Sequence, residues 1–188
     1  MPFEGKWEAS FGIPERSGVW IIWGMSGNGK TNFALQLGKY LTSFGKVVYD
    51  TLEEGTRKSF KLAINRANMR DISRRFLILN RESMEDLKVR LRRRKSPHII
   101  IIDSLQYTGM TRKEYIELKE EFDDKLFIFI SHAEGKNPKG ALADFARYDA
   151  DVKIRIEGYK AFPTSRYGGN IEFVIWQTGA AEYWGDID

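Results

Sequence analysis

Cysteine is absent from the 188-residue chain. Disulfides and thiolate metal centres are therefore excluded, and the composition suits a reducing, cytoplasmic setting. Long apolar runs are also missing, since nothing approaches the roughly 20 residues needed to span a membrane. Met1 to Ser10 carries acids and a glycine and has no apolar core, so it does not read as a secretory leader. There is no internal repeat, low-complexity tract or interdomain linker, and residues 1–188 read as one domain. Extreme charge is lacking too. The net charge is +4, which permits a polyanionic partner without requiring one.

What is present is an alternation of strand-like and helix-like stretches. Val19 to Trp23, Val47 to Thr51, Phe76 to Leu79, His98 to Asp103 and Leu126 to Ser131 are short apolar runs that read as buried strands. Between them, residues 30–43, 56–68, 83–95 and 111–122 carry helical spacing, with Ser83 as a cap and Gly45 as a stop. Leu87 and Leu91 fall four apart and face inward. Continuous apolar strands separated by helices predict an α/β fold with a mostly parallel central sheet covered on both faces. Asp151 to Glu157 and Ile171 to Gln177 have no helix between them and are expected to pair as a C-terminal antiparallel hairpin.

Residues 24–31 read Gly-Met-Ser-Gly-Asn-Gly-Lys-Thr and fit G-x-x-x-x-G-K-[ST] at every fixed position. The loop follows a strand and opens a helix, the context that the chemistry requires. Glycines let backbone N–H groups turn inward around phosphate oxygens, and the helix N-terminus favours an anion. Gly24, Met25, Ser26, Gly27, Asn28, Gly29, Lys30, Thr31 and Asn32 are the expected ATP-binding residues. Lys30 is expected to reach the β- and γ-phosphates, and Thr31 to place its hydroxyl on Mg²⁺. Asp103 closes a strand at the crevice edge and is the second expected metal group, against the plainer reading of an acid that starts a turn. Glu53 and Glu54 end the second strand at the same edge. Either could orient water, or both could belong to a solvated turn before Gly55.

The ordered segments resemble the RecA-like P-loop NTPases, within them the group holding the DnaB-type replicative helicases, RadA and KaiC. The likeness runs over roughly Val19 to Val174. Beyond the phosphate loop it rests on Tyr49-Asp-Thr-Leu-Glu-Glu54, Ile99-Ile-Ile-Ile-Asp-Ser-Leu-Gln106, Ile130-Ser-His132 and Asp149-Ala-Asp-Val152. The resemblance implies an ATPase, places the catalytic glutamate on Glu53 with Glu54 in reserve, and makes His132 a γ-phosphate sensor where the helicases carry glutamine. It also implies that Arg166 is offered to a neighbouring subunit's ATP, although Thr164 stands where helicases have lysine. A homo-oligomer, as a hexameric ring, follows from that role. The chain has no helicase-type N-terminal domain, so processive unwinding is not expected.

In that family two loops face single-stranded DNA. Their counterparts hold Arg112, Lys113, Lys136 and Lys139, whose plainer reading is polar surface. Arg90 to Lys95 is the densest basic run and reads as a solvated helix end. Trp23 reads as core. The implied activity is ATP hydrolysis on DNA in replication or recombination. The alternative is a KaiC-like nucleotide switch or assembly factor with protein partners, and a small-molecule kinase fits the Asp149 to Val152 segment poorly.

Overall fold

A computed structural model describes residues 1–69, 72 and 74–185. Helix α1 (Gly5–Phe11) precedes β1 (Gly18–Gly24), and the phosphate-type loop leads into α2 (Lys30–Leu41). Then follow β2 (Val47–Thr51), α3 (Lys58–Arg66), β3 (Phe76–Leu79), α4 (Met84–Leu91) and β4 (Ile99–Asp103). A short 3₁₀ turn (Leu105–Tyr107) leads to α5 (Arg112–Glu121), β5 (Leu126–Glu134), β6 (Asn137–Pro138) and α6 (Ala141–Asp149). The chain ends with β7 (Val152–Glu157), β8 (Lys160–Ser165), β9 (Phe173–Val174) and α7 (Gln177–Trp184).

The strands lie in the order β3-β2-β4-β5-β1-β7-β8-β9, with β6 paired to the end of β5. From β3 through β7 every neighbouring pair is parallel, while β8, β9 and β6 are antiparallel. This is the expected α/β architecture. The apolar strands are continuous because both faces are covered, and successive residues alternate between two cores. Trp20, Ile22, Ile99, Ile101, Ile128 and Ile130 face the side of α1, α2 and α3. Ile21, Trp23, Ile100, Ile102, Phe127 and Phe129 face α4, α5 and α6, where Leu87 and Leu91 are buried as expected. Each such fully buried large side chain contributes about 1.5–3 kcal/mol.

Three differences from the sequence reading follow from tertiary packing. The C-terminal hairpin is β7 with β8, in register from Val152↔Ser165 to Glu157↔Lys160. The expected partner strand shrinks to β9, which meets only Lys160 and Ala161, and Gln177 begins a helix. Helix α4 stops at Leu91, so Arg93 to Lys95 lie beyond it, with Lys95 at φ 69°. Arg112 and Lys113 stand in the first turn of α5 rather than in a loop.

Candidate functional site

The parallel strands all end at one rim of the sheet, and their register sets the site. Thr51 lies beside Asp103, Asp103 beside Ile130, and His132 beside Gly24. At Gly24 the backbones of β1 and β7 come so close that a Cβ would lie 2.3 Å from the Ile156 carbonyl oxygen. Gly29 caps α2 with φ 100°, a left-handed geometry that glycine adopts without strain. The loop between them is pinned from outside. The Gly158 N–H donates to the Asn28 side-chain oxygen at 2.8 Å, and the Tyr159 N–H donates to the Asn28 carbonyl at 3.2 Å.

A cleft of about 920 Å³ opens over this loop. Ser26, Gly27, Gly29, Lys30, Thr31 and Asn32 line one wall, and Glu53, Glu54, Asp103 and His132 line the other. These ten of the sequence-named residues are brought together. Gly24, Met25 and Asn28 shape or anchor the loop and do not face the cleft. Lys30 folds back, its ammonium donating to the Met25 carbonyl at 3.0 Å. Burial lowers the Lys30 pKa, and Asp103, Glu53 and Glu54 oppose that shift.

The acids are held in distinct ways. Asp103 accepts from the Tyr49 hydroxyl at 2.5 Å. Burial drives the Asp103 pKa up to about 6, the Tyr49 hydrogen bond and Lys30 oppose this, and Glu53 and Glu54 add to it. A desolvated carboxylate among acids suits a divalent cation. Among the described residues no cluster of three or more acids or histidines forms a protein-only metal cage. Mg²⁺ rarely needs one, since it takes few carboxylates and fills the rest with water and phosphate oxygens. Thr31 and Asp103 are thus a donor pair that fits Mg²⁺ bound with a nucleotide.

Glu53 and Glu54, equivalent in sequence, part in space. The Glu53 carboxylate lies 3.0 Å from His132 Nε2 and accepts from the Ser104 hydroxyl at 3.3 Å. Glu54 turns to α3, where Ser59 donates to it at 3.1 Å.

Several groups escaped the sequence reading. Tyr49 and Ser104 lay inside the resembling segments without a role. Gln106 donates to Ser131 and to the Lys139 carbonyl, each at 2.8 Å, and accepts from the His132 N–H at 3.3 Å. Tyr159 and Trp176, ring centroids 5.0 Å apart, edge the cleft with Ile175. Only the Gly158-Tyr159 turn hinted at them.

The remaining expected residues lie elsewhere. Arg166 sits at the opposite rim, where its guanidinium and backbone N–H both donate to Asp151, at 3.0 and 3.1 Å. The Arg112 guanidinium stacks over Phe145 at 3.8 Å, and Lys113 pairs with Glu117 at 3.7 Å. Lys136 accepts from the Trp23 indole through its carbonyl at 3.0 Å, which confirms Trp23 as core. Lys136 and Lys139 flank β6, in a tight hairpin rather than a loose loop.

Solved structures of two proteins share this arrangement. The flagellar accessory protein FlaH from Methanocaldococcus jannaschii matches with TM-score 0.60 at 20% identity, over 86% of each chain. The ATPase domain of a DnaB-like helicase matches with TM-score 0.58 at 17% identity, over 83% of this chain and 79% of that one. The chain has the RecA-like P-loop ATPase fold. No protein-family model and no curated protein matches it in sequence. At these identities the RecA-like likeness is one of fold. No helix among the described residues is long and apolar enough to cross a membrane.

Proposed function

We propose that this chain is a Mg²⁺-dependent ATPase of the DnaB/RadA/KaiC-like group, acting in the cytoplasm on single-stranded DNA in replication or recombination. The observation that carries the ATPase reading is the convergence of the phosphate loop with Asp103 and with Glu53, itself oriented by His132 and Ser104, in one cleft. ATP lies with its phosphates along Gly27 to Thr31 and its base toward Tyr159 and Trp176. Thr31 and Asp103 hold Mg²⁺, which neutralises charge on the β- and γ-phosphate oxygens. Lys30 leaves Met25 for the same oxygens. Glu53 accepts a proton from water as that water attacks the γ-phosphorus, and His132 fixes the carboxylate in place. Glu54, turned to Ser59, is the reserve.

Support for the DNA reading is a hydrogen-bonded path. Lys139 is joined to Gln106, Gln106 to His132, and His132 to Glu53. A strand contacted by Lys136 and Lys139, with Arg112 and Lys113 behind them, would thus act on the water-orienting carboxylate. The second reading, a nucleotide-dependent assembly factor with protein partners, draws on the fold likeness to FlaH, a flagellar accessory protein. It also draws on the stacking and pairing that occupy Arg112 and Lys113.

The test is steady-state ATP hydrolysis with Mg²⁺, with and without single-stranded DNA. Lys30→Ala should abolish ATP binding. Glu53→Gln should bind ATP with turnover at least ~100-fold down, in line with loss of a general base, while Glu54→Gln keeps most activity. Tight ATP binding by Lys30→Ala would remove the site assignment. Turnover indifferent to DNA, with ATP-dependent capture of a protein partner, would select the second reading.

A further inference from the structure

At the rim opposite the nucleotide cleft, where the parallel strands begin, a pocket of about 340 Å³ opens among the starts of β3, β2 and β4 and the end of α4. Seven cationic side chains line it: Lys46, Arg74, Arg75, Arg90, Arg93 and Arg94, with Lys95. No acidic residue lines it among the described residues. Those seven exceed the formal net charge of the whole chain, which is +4. Outside this pocket the molecule therefore carries a net negative charge. The basic excess is a local feature.

The topology makes the cluster. Val47 and Phe76 are register partners in adjacent parallel strands, so Lys46 and Arg75 enter the sheet side by side, about 4.8 Å apart. Arg93, Arg94 and Lys95 follow the end of α4 and are exposed. They lie past the helix, so compensation of its C-terminal dipole does not account for them. Arg92 makes the contrast, because it turns out of the pocket and pairs with Glu121 at 2.6 Å. Arg90 is held by Glu82 through two hydrogen bonds of 2.9 and 2.8 Å, which fixes one guanidinium in the pocket wall. Holding so many like charges together opposes folding unless an anion answers them.

We propose that this pocket binds the phosphodiester backbone of a nucleic acid strand, at a second site separate from the Lys136–Lys139 hairpin. Five of the seven cations are arginines, whose planar guanidinium matches phosphate oxygens two at a time. Their number exceeds what a single phosphate group can neutralise, which favours a polymer. The apolar part of the lining is Val47, Phe76, Leu77 and Pro97; Phe76 is buried, so no exposed aromatic offers a base a stacking surface. Recognition is therefore by charge, without preference among sequences and with strong salt dependence. This site stands on its own cations and does not depend on the ATPase reading.

The experiment is fluorescence anisotropy of a labelled 20-nucleotide DNA, single-stranded and duplex, without ATP, across 50–200 mM salt. The exposed pair is reversed in Arg93→Glu/Arg94→Glu, and Lys136→Glu/Lys139→Glu serves as the comparison. The first double variant should bind DNA at least ~10-fold more weakly, and its log K against log salt should flatten by ~1.5, as for two lost phosphate contacts. Its thermal unfolding and DNA-free ATP hydrolysis should match the wild type. The milder Arg93→Gln/Arg94→Gln should fall between the two. Wild-type affinity in the Glu pair, binding lost only in the hairpin variant, or no DNA binding by the wild type would each overturn the proposal. So would tripolyphosphate displacing DNA at equimolar concentration, which would assign the pocket to a compact polyphosphate.

Discussion

Tyr49 has one polar task, to donate its hydroxyl to Asp103 from within an otherwise apolar core. That hydrogen bond works against the burial that raises the Asp103 pKa to about 6. Two opposite pH effects follow. For the free protein the raised pKa means that the fold binds the Asp103 proton more tightly than the unfolded chain does. Its contribution to stability is therefore best below the ordinary aspartate range and is lost as pH rises through about 6. Mg²⁺ needs the ionised carboxylate, so Mg·nucleotide binding weakens as pH falls through that value. Asp50, also near 6 through burial and with one carboxylate oxygen unpartnered, adds to the first effect and lies outside the cleft lining. Removing the donor with Tyr49→Phe should raise the Asp103 pKa further. A hydrogen bond to a charged group contributes about 1.5–3 kcal/mol, and one pH unit corresponds to ~1.4 kcal/mol. The acid limb of Mg·nucleotide affinity should thus move up by about one unit, read from titrations of a fluorescent nucleotide at fixed Mg²⁺. An unmoved limb would mean that another group governs it.

At the scale of elements, α5 shows how local chemistry places a helix over the sheet. Thr111 accepts from the Glu114 N–H, and Glu114 accepts from the Thr111 N–H, a reciprocal cap that positions Tyr115 and Leu118 in the core. Thr111→Ala should cost ~1 kcal/mol. That is a fall of about 2–4 °C in Tm for a chain of this size, measurable by thermal unfolding. Such local signals explain what was legible beforehand. The phosphate loop is contiguous, the central strands are continuous apolar runs, and Ser83 caps α4 as read, accepting from the Asp86 N–H at 3.1 Å. Strand β8 was not legible because Lys160 and Pro163 break its pattern. Proline fits there since β9 covers only Lys160 and Ala161, and the part of β8 holding Pro163 has no β9 partner. Helix α1 left a faint trace in the spacing of Trp7 and Phe11, which pack on Trp20, Phe33 and Phe173. Tyr49, Ser104 and Gln106 join the site through sheet register across 25 to 54 positions of chain, and no local pattern contains that. The same holds for the choice between Glu53 and Glu54, which turns on His132 and Ser59.

For the molecule as a whole, the decisive question is whether one chain holds a complete site. The cleft gathers acids, Lys30 and His132, while Arg166 stands at the far rim with its side chain 64% exposed and joined to Asp151. An exposed ion pair of this kind contributes about 0–1 kcal/mol, so the arginine can be drawn to another anion at little cost. If a neighbouring copy presents Arg166 to the γ-phosphate, turnover per subunit should rise with protein concentration, and Arg166→Ala should lose ~10³-fold or more without losing ATP affinity. Mixing supplies the sharper reading. Glu53→Gln keeps Arg166 and lacks the water-orienting acid, whereas Arg166→Ala keeps the acid and lacks the arginine. Each is expected to be inactive alone, and an equimolar mixture should recover measurable hydrolysis, because some interfaces then join an intact acid to an intact arginine. Sedimentation of the mixture with ATP should show the assembly that carries this activity. Full turnover by Arg166→Ala alone would confine that residue to its pairing with Asp151, and would remove the argument for a ring built around shared sites.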